Sequence, residues 1–159
     1  MGINDFNLGR RPQVEQNLPV NLEGAFSFGD IRSFNALQLA YLGDTLHDLY
    51  VRSYLLTSGM QVGAMHKMAT HMVSAAAQTA MLSAIEPELE EAELDMVRKG
   101  RNAQAKHAPP KHASAADYGL ATGLEALWGM LYVEHRQDRM LYLMGKALKR
   151  TEELWQKHR

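Results

Sequence analysis

The sequence predicts an all-α fold, because its apolar residues recur at helical spacing and its prolines and many of its glycines fall between those stretches. The first helix is expected to begin at Asp30, a residue type favoured at N-caps, and to end near Ser58 and Gly59. Its apolar residues are Phe34, Leu37, Tyr41, Leu42, Leu46, Leu49 and Tyr50. Residues 1–30 mix glycine, proline, asparagine and charges without periodicity, and we predict a flexible arm there.

Two helices are expected in the middle of the chain. Residues 62–85 are rich in alanine and methionine and predict one continuous helix. Pro87 separates this helix from an acidic one that is expected to end at Gly100, because glycine is the preferred residue just after a helix. A basic loop should then begin directly after Gly100.

The last part of the chain predicts a loop and two more helices. Pro109 and Pro110 disfavour helix in the middle of residues 104–113, which should form an exposed loop. Ser114 is the predicted N-cap of the next helix. The final helix is expected over residues 138–157.

Length and composition exclude several classes of protein. A chain of 159 residues with 46% apolar content can form one packed domain, which we place at residues 31–159. The absence of cysteine excludes disulfides, thiolate metal sites and thiol nucleophiles. No apolar run approaches the ~20 residues that span a bilayer, so we expect a cytoplasmic protein without a membrane partner.

The charges are unevenly distributed, although the formal net charge is only −1. Residues 86–95 contain six acids and no base, whereas residues 96–116 contain bases and no acid. The bases of this second segment are Arg98, Lys99, Arg101, Lys106 and Lys111. Such a segment could hold a polyanion, although many charge clusters are simply solvated.

Two carboxylates stand within apolar, helix-patterned stretches. Asp44 follows Gly43 in the first helix, and Glu125 is the only charged residue between positions 119 and 133. Burying an unpaired carboxylate is costly, so we expect a cation or a metal ion to meet Glu125. The alternative for Asp44 is a hydrogen-bonded aspartate near a helix crossing. Asp48, one turn after Asp44, either supports such a site or is an exposed helical acid.

The segments around these carboxylates resemble a known family. YLGDTL contains Asp44 and LEALWGMLY contains Glu125, and together they resemble the two signature segments of the ribonuclease III superfamily in order and separation. HKMATHMVSAAAQTAML and VRKGRNAQAK are similar to family segments that lie between them. The resemblance covers about residues 31–148 and leaves the arm unexplained.

The chain also departs from the larger members of that superfamily. They carry further acids where this sequence has Leu37, Ala40 and Thr122. In mini-ribonuclease III, the short form without a double-stranded-RNA-binding domain, only the carboxylates that correspond to Asp44 and Glu125 are kept. The departures therefore favour a resemblance to the mini-ribonuclease III family.

The resemblance implies a ribonuclease III-like helical endonuclease domain at residues 31–159. It implies a metal-dependent endoribonuclease that cleaves double-stranded RNA, with Asp44 and Glu125 as catalytic residues and as ligands of Mg²⁺. Because the helical pattern ends close to the C-terminus, RNA contacts are expected from the catalytic domain itself. The candidate RNA-binding residues are Arg98, Lys99, Arg101, Asn102, Lys106 and Lys111.

The family further implies a substrate and an assembly. The expected substrate is a stem of the large-subunit (23S) ribosomal RNA precursor, and a ribosomal protein is a candidate partner. A homodimer is implied, with the first helix at its interface and Leu39, Leu46 or Tyr50 facing the partner. Two alternatives stay open: a non-catalytic RNA-binding or ribosome-associated relative, and an all-α nucleotide pyrophosphohydrolase that uses Glu88 and Glu91.

Overall fold

The computed structural model describes residues 28–157, in which every regular element is a helix. The α-helices are α1 (Ala36–Leu56), α2 (Val62–Met72), α3 (Ala75–Ile85), α4 (Glu91–Gln104), α5 (Ala115–Val133) and α6 (Gln137–Lys157). The all-α prediction is confirmed. The expected flexible arm falls largely on residues 1–27, which lie outside the described residues. Within the described part of the chain, no helix is both long and apolar enough to cross a membrane.

Helix α5 is the centre of the domain, because it packs against α1, α3, α4 and α6. Its Leu124, Leu127, Trp128 and Leu131 are fully buried. The helix also carries several glycines, each of which costs about 1 kcal/mol relative to alanine in a helix interior. That cost is offset by close packing of neighbouring helices against α5.

Two glycines bring the backbones of α1 and α5 together. A Cβ atom at Gly43 would lie 1.7 Å from the carbonyl oxygen of Glu125, and one at Gly129 would lie 2.1 Å from the carbonyl oxygen of Leu39. Real Cβ contacts do not occur at these distances. The α1–α5 crossing therefore needs glycine at both positions.

The expected helix end at Gly100 is wrong, because α4 continues to Gln104. Gly100 serves packing: its Cβ would lie 2.9 Å from the Cα of Gly123, and a Cβ at Gly123 would lie 2.6 Å from the carbonyl oxygen of Val97. Consequently, α4 packs closely against one side of α5, and α1 packs closely against another. The candidate RNA-binding residues up to Asn102 lie on a helix and not in a loop.

Two other helix boundaries also differ from the predictions. Helix α1 begins after Asn35 and not at Asp30, because Asn35 and Gln38 form a capping box in which each side chain accepts from the other residue's backbone N–H. The continuous helix expected over residues 62–85 is two helices, and Ser74 caps the second one. The N-cap predicted at Ser114 is present, since its hydroxyl accepts from the N–H of Asp117 at 3.0 Å.

The expected partner-facing residues of α1 need correction. Leu39 and Leu46 are buried in the core of the chain itself, and Tyr50 is half-buried. The apolar residues that α1 leaves exposed are Tyr41, Leu49 and Leu56, with exposures of 85%, 57% and 74%. Because they are separated by about two helical turns each, they lie on the same side of α1, with polar residues between them, and we call these three residues the exposed stripe.

An ion-pair cluster ties α4 to α6. Glu93 is fully buried, and Arg139 donates to both of its carboxylate oxygens, at 2.9 and 2.8 Å. Although burial alone would raise the pKa of Glu93, hydrogen bonds from Arg139 and from the backbone N–H of Glu90 hold it below its ordinary value. The charged form of Glu93 is thus compensated inside the fold.

Candidate active site

The crossing of α1 and α5 positions the two carboxylates that the sequence singles out. Gly43 contacts the backbone of Glu125, and Asp44 is the next residue of α1. Asp44 is exposed, whereas Glu125 is half-buried. Asp44 lies close enough to contribute to the raised pKa of Glu125, so the structure brings the pair together at one surface.

The group that meets Glu125 is a neutral amide. Gln78 of α3 donates from Nε2 to Oε1 of Glu125 at 3.0 Å and to the carbonyl oxygen of Val73 at 3.1 Å. No lysine, arginine or histidine of the described residues forms an ion pair with Glu125. The sequence predicts a cation or a metal ion beside Glu125; no cationic side chain of residues 28–157 pairs with this carboxylate, so a metal ion there stays a prediction.

Burial without a counter-ion alters the acidity of Glu125. Burial raises its pKa to about 7, the Gln78 hydrogen bond opposes that shift, and the Asp44 carboxylate adds to it. A positive charge placed nearby would stabilise the ionised form of such a carboxyl group. The site thus favours a cation between α1 and α5, and carboxylate oxygens are the ligands that hard divalent cations prefer.

A buried histidine lies under the pair. His47 is fully buried, and the indole N–H of Trp128 donates to its Nδ1 at 3.3 Å. Its Nε2 therefore carries the proton and faces the carbonyl oxygen of Met72 at 3.4 Å. Burial lowers the pKa of His47 despite the opposing effects of Met72, Asp44 and Asp48. His47 is neutral and joins α1, α5 and the end of α2.

Two of the other candidate acids, Asp48 and Glu88, have partners elsewhere. Both carboxylate oxygens of Asp48 accept from Nε of Arg52, at 3.0 and 2.9 Å, within α1. Glu88, which the pyrophosphohydrolase alternative requires, accepts from Nζ of Lys146 at 2.6 Å. Among the described residues there is no group of three or more histidines, aspartates and glutamates suited to a metal. Within residues 28–157, Asp44 and Glu125 are thus a pair of carboxylates and not part of a larger cluster of metal-ligating residues.

The candidate RNA-binding residues fall into two sets. Arg98 and Lys99 both form ion pairs with Asp95 one turn earlier on α4, and the Lys99 contact measures 2.7 Å. Arg101 and Asn102 are exposed on the last turn of α4. The positive charges of Arg98 and Lys99 are thus partly neutralised within their own helix.

The remaining two, Lys106 and Lys111, lie in the exposed loop between α4 and α5. Lys111 lines a cleft of about 320 Å³ that also includes Ser74 and Ser114, the N-caps of α3 and α5. Helix α3 carries Gln78 and helix α5 carries Glu125. The basic loop therefore adjoins the helices that build the candidate site.

Sequence reasoning missed Gln78. It is the only amide side chain in the alanine-rich segment SAAAQTAML, and such a residue on a predicted helix is usually solvent-exposed. The signal that could have found it is the isolation of one long polar side chain among small apolar ones. His47, polar and on the apolar side of a helix, carries a similar signal.

Comparison with known proteins adds a family. The sequence-family model of the ribonuclease III domain matches residues 37–136 of the chain. The chain is 44% identical over 112 residues to a mini-ribonuclease 3 of Desulfitobacterium hafniense, covering 70% of each chain. It is 38% identical over 128 residues to the Enterococcus faecalis mini-ribonuclease 3, covering 78% of this chain and 96% of the relative. A crystal structure of a Fusobacterium nucleatum protein superposes with a TM-score of 0.68 at 27% identity, covering 76% of this chain and 96% of that one.

Proposed function

Because the chain belongs to the mini-ribonuclease III branch of the ribonuclease III family, we propose that Asp44 and Glu125 form its metal-binding catalytic pair. The chain is an endoribonuclease, and its family acts on double-stranded RNA, generally depends on a divalent metal and typically works as a dimer. What is proposed for this chain is the cation, its ligands, the RNA that is cut and the dimer.

The cation that fits best is Mg²⁺. It commonly uses only one or two protein carboxylates and takes its other ligands from water and substrate phosphate, so two acids are sufficient. The residues fit such an ion on two counts: Glu125 is a partly buried acid without a counter-ion, and the buried Oε1 of Gln78 has no hydrogen-bond donor among the described residues. When bound, a divalent cation neutralises phosphate charge and makes water a better nucleophile.

The residues of the chain then have separate tasks. Asp44 and Glu125 supply the anionic oxygens that hold the cation at the α1–α5 crossing. Gln78 orients the carboxylate of Glu125. The exposed cations that follow Gly100 bind phosphates and so place the RNA backbone beside the pair.

The observation that carries the proposal is the uncompensated Glu125 carboxylate beside Asp44. Asp44→Asn and Glu125→Gln keep the shapes of these side chains and remove one negative charge each. Each should lower the cleavage rate by orders of magnitude, because a metal ion contributes several kcal/mol to stabilising the transition state. The measurement is cleavage of duplex RNA with Mg²⁺ and with a chelator.

Asp48→Asn is the matched control. It removes the same charge from an aspartate that lies one turn after Asp44 and pairs with Arg52. It should cost far less activity. Near-normal cleavage by purified Asp44→Asn or Glu125→Gln would refute the assignment, and equal damage from Asp48→Asn would extend the site to that residue.

We further propose that the substrate is a stem of the large-subunit (23S) ribosomal RNA precursor in the cytoplasm. Duplex RNA is recognised mainly by shape, 2′-hydroxyls and phosphates, so the exposed Arg101, Lys106 and Lys111 suit it. Competition between a precursor stem and a random duplex of equal length tests this choice. Addition of ribosomal proteins to that assay tests the candidate protein partner.

The proposed assembly is a two-fold dimer in which the exposed stripe of Tyr41, Leu49 and Leu56 on α1 meets its copy. The stripe lies on the helix that carries Asp44, so pairing it would bring two candidate sites to one surface. A two-fold axis that coincides with that of the duplex would present one site to each strand.

A further inference from the structure

Gln78 is a polar side chain inside the core. It is only 3% exposed, and both hydrogens of Nε2 are used: one by the Val73 carbonyl oxygen at 3.1 Å and one by Oε1 of Glu125 at 3.0 Å. These two acceptors fix the orientation of the amide, because the flipped amide would place its oxygen against both of them.

The opposite side of the same amide is unsatisfied. Oε1 of Gln78 is buried and has no hydrogen-bond donor among the described residues. Burying a polar atom without a partner is unfavourable, so such atoms usually mark a missing ligand or water. Water that accompanies a hydrated divalent cation is a donor of the required kind.

The backbone turn to which Gln78 donates also contacts a second side chain of the core. The turn between α2 and α3 presents the carbonyl oxygens of Met72 and Val73 to the core. His47 contacts the carbonyl oxygen of Met72 and accepts a hydrogen bond from Trp128. Gln78 donates to the carbonyl oxygen of Val73. The amide is thereby fixed at a rigid point, and it restrains the Glu125 carboxylate that it contacts.

We propose that Gln78 is a positioning residue that occupies Oε1 of Glu125, leaves the other carboxylate oxygen for the cation, and thereby favours Mg²⁺ over Ca²⁺. This inference rests on the proposed metal-binding role of Asp44 and Glu125. Mg²⁺ demands a compact octahedral shell, whereas Ca²⁺ accepts both oxygens of a carboxylate in a larger and more flexible shell. A carboxylate with one oxygen occupied by an amide suits the smaller ion.

The test is cation binding without RNA. Gln78→Met keeps the length of the side chain but removes both the oxygen and the nitrogen of its amide, and Gln78→Ala is a second variant that suits an alanine-rich helix if the first folds poorly. Mg²⁺ and Ca²⁺ are titrated separately, by calorimetry and by the rise of the melting temperature with cation concentration. Thr151→Val is the matched control, because it also removes a buried side-chain hydrogen bond to a backbone carbonyl, on α6.

The expected result is a change of selectivity. Loss of a hydrogen-bonding partner of a metal ligand typically lowers affinity by about 10- to 100-fold, and we expect a Mg²⁺ loss of that order in both Gln78 variants. Ca²⁺ affinity should be retained or increased, since Glu125 becomes free to offer both oxygens. Thr151→Val should leave the ratio of the two affinities unchanged.

Failure of this inference can be distinguished from failure of the proposed site. If Asp44→Asn and Glu125→Gln abolish binding of both cations while the Gln78 variants keep the normal Mg²⁺ to Ca²⁺ ratio, the positioning role is overturned and the metal site stands. If Asp44→Asn and Glu125→Gln bind both cations as the unmodified chain does, the metal site itself is wrong and the role of Gln78 falls with it.

Discussion

The Cα of Gly43 packs directly on the peptide of Glu125: a Cβ atom at Gly43 would lie 1.7 Å from the carbonyl oxygen of that glutamate. The contact joins backbone to backbone, so no rotation of a side chain can relieve a larger residue at this position. The close approach of α1 to α5 beside Asp44 and Glu125 therefore depends on the absence of a side chain at Gly43.

We therefore predict that Gly43→Ala destabilises the domain and impairs the site at once. Accommodating the methyl group requires α1 and α5 to separate, and overpacking of a tight core typically costs about 1–3 kcal/mol or more. Urea unfolding gives the loss of stability, and duplex cleavage by the remaining folded protein gives the loss of activity.

Gly145→Ala is the control for Gly43→Ala. Gly145 is an exposed residue of α6, and a Cβ atom there would have no neighbour within 4 Å. This substitution should stabilise the protein by up to about 1 kcal/mol, because alanine is the better helix former. Equal behaviour of the two variants would contradict the packing argument.

Glu125 should make the stability of the metal-free protein depend on pH. In the fold its pKa is raised to about 7, compared with 4.5 for an ordinary glutamate. Between these values the folded state binds more protons than the unfolded state, so the free energy of unfolding should fall as pH rises. The full effect of Glu125 is about 3 kcal/mol.

The measurement is urea unfolding from pH 4 to pH 8 in a chelator, for the unmodified chain and for Glu125→Gln. Subtracting the variant removes the contribution of titrating groups that do not interact with Glu125. The difference should show the fall, and saturating Mg²⁺ should oppose it because the cation binds the ionised form. Parallel curves for the two proteins would contradict the assigned environment of Glu125.

The salt dependence of RNA binding should separate the two sets of cations. Arg101 and Lys106 are exposed and show no ion pair within the described part of the chain, whereas Arg98 and Lys99 pair with Asp95. Alanine at Arg101 and Lys106 should flatten the slope of log affinity against log salt by about one unit for each phosphate that is no longer bound.

The matched variant replaces Arg98 and Lys99 with alanine and removes the same formal charge. Its slope should change less, because Asp95 already neutralises part of that charge. Filter binding of a cleavage-blocked duplex at several salt concentrations gives both slopes. A larger effect from the ion-paired set would move the RNA contact towards the start of α4.

The proposed dimer predicts different effects for two leucines of nearly equal exposure. Leu49, 57% exposed, belongs to the stripe on α1, and Leu141, 52% exposed, lies on α6. Leu49→Asp should yield monomers that cut both strands poorly, because it would bury an unpaired charge in the interface. Leu141→Asp should remain a dimer. Light scattering and strand-specific cleavage give the answer, and a fully active monomeric parent protein would exclude the arrangement.

The candidate pair could be recognised in the sequence because each member is a charged residue in an apolar stretch. Asp44 and Glu125 are acids in apolar helical stretches, and such residues are costly enough to need a reason. The N-cap at Ser114 and the exposed proline-containing loop were also predictable, because they depend on local backbone preferences. Local chemistry thus accounts for the helices and for the identity of the pair.

What the sequence concealed depends on contacts between distant residues. Gly100 looks like a helix end, and only its partner Gly123 shows that it serves helix packing. The break between α2 and α3 contains no glycine or proline; Ser74 caps α3, and His47 and Gln78 contact the carbonyl oxygens of Met72 and Val73 from the core. A helical pattern alone cannot reveal bonds that arrive from other helices.

The backbone contacts of α5 have a consequence for how the domain opens. Since α1 and α4 press on this helix at Gly43, Gly129, Gly100 and Gly123, the peptide groups around Glu125 can meet solvent only when the helices separate. Amide hydrogens there should exchange as slowly as the whole domain unfolds, whereas those of the exposed loop before Ser114 exchange on their own. A bound duplex can therefore reshape the loop while the peptide that carries Glu125 stays in the most protected part of the molecule.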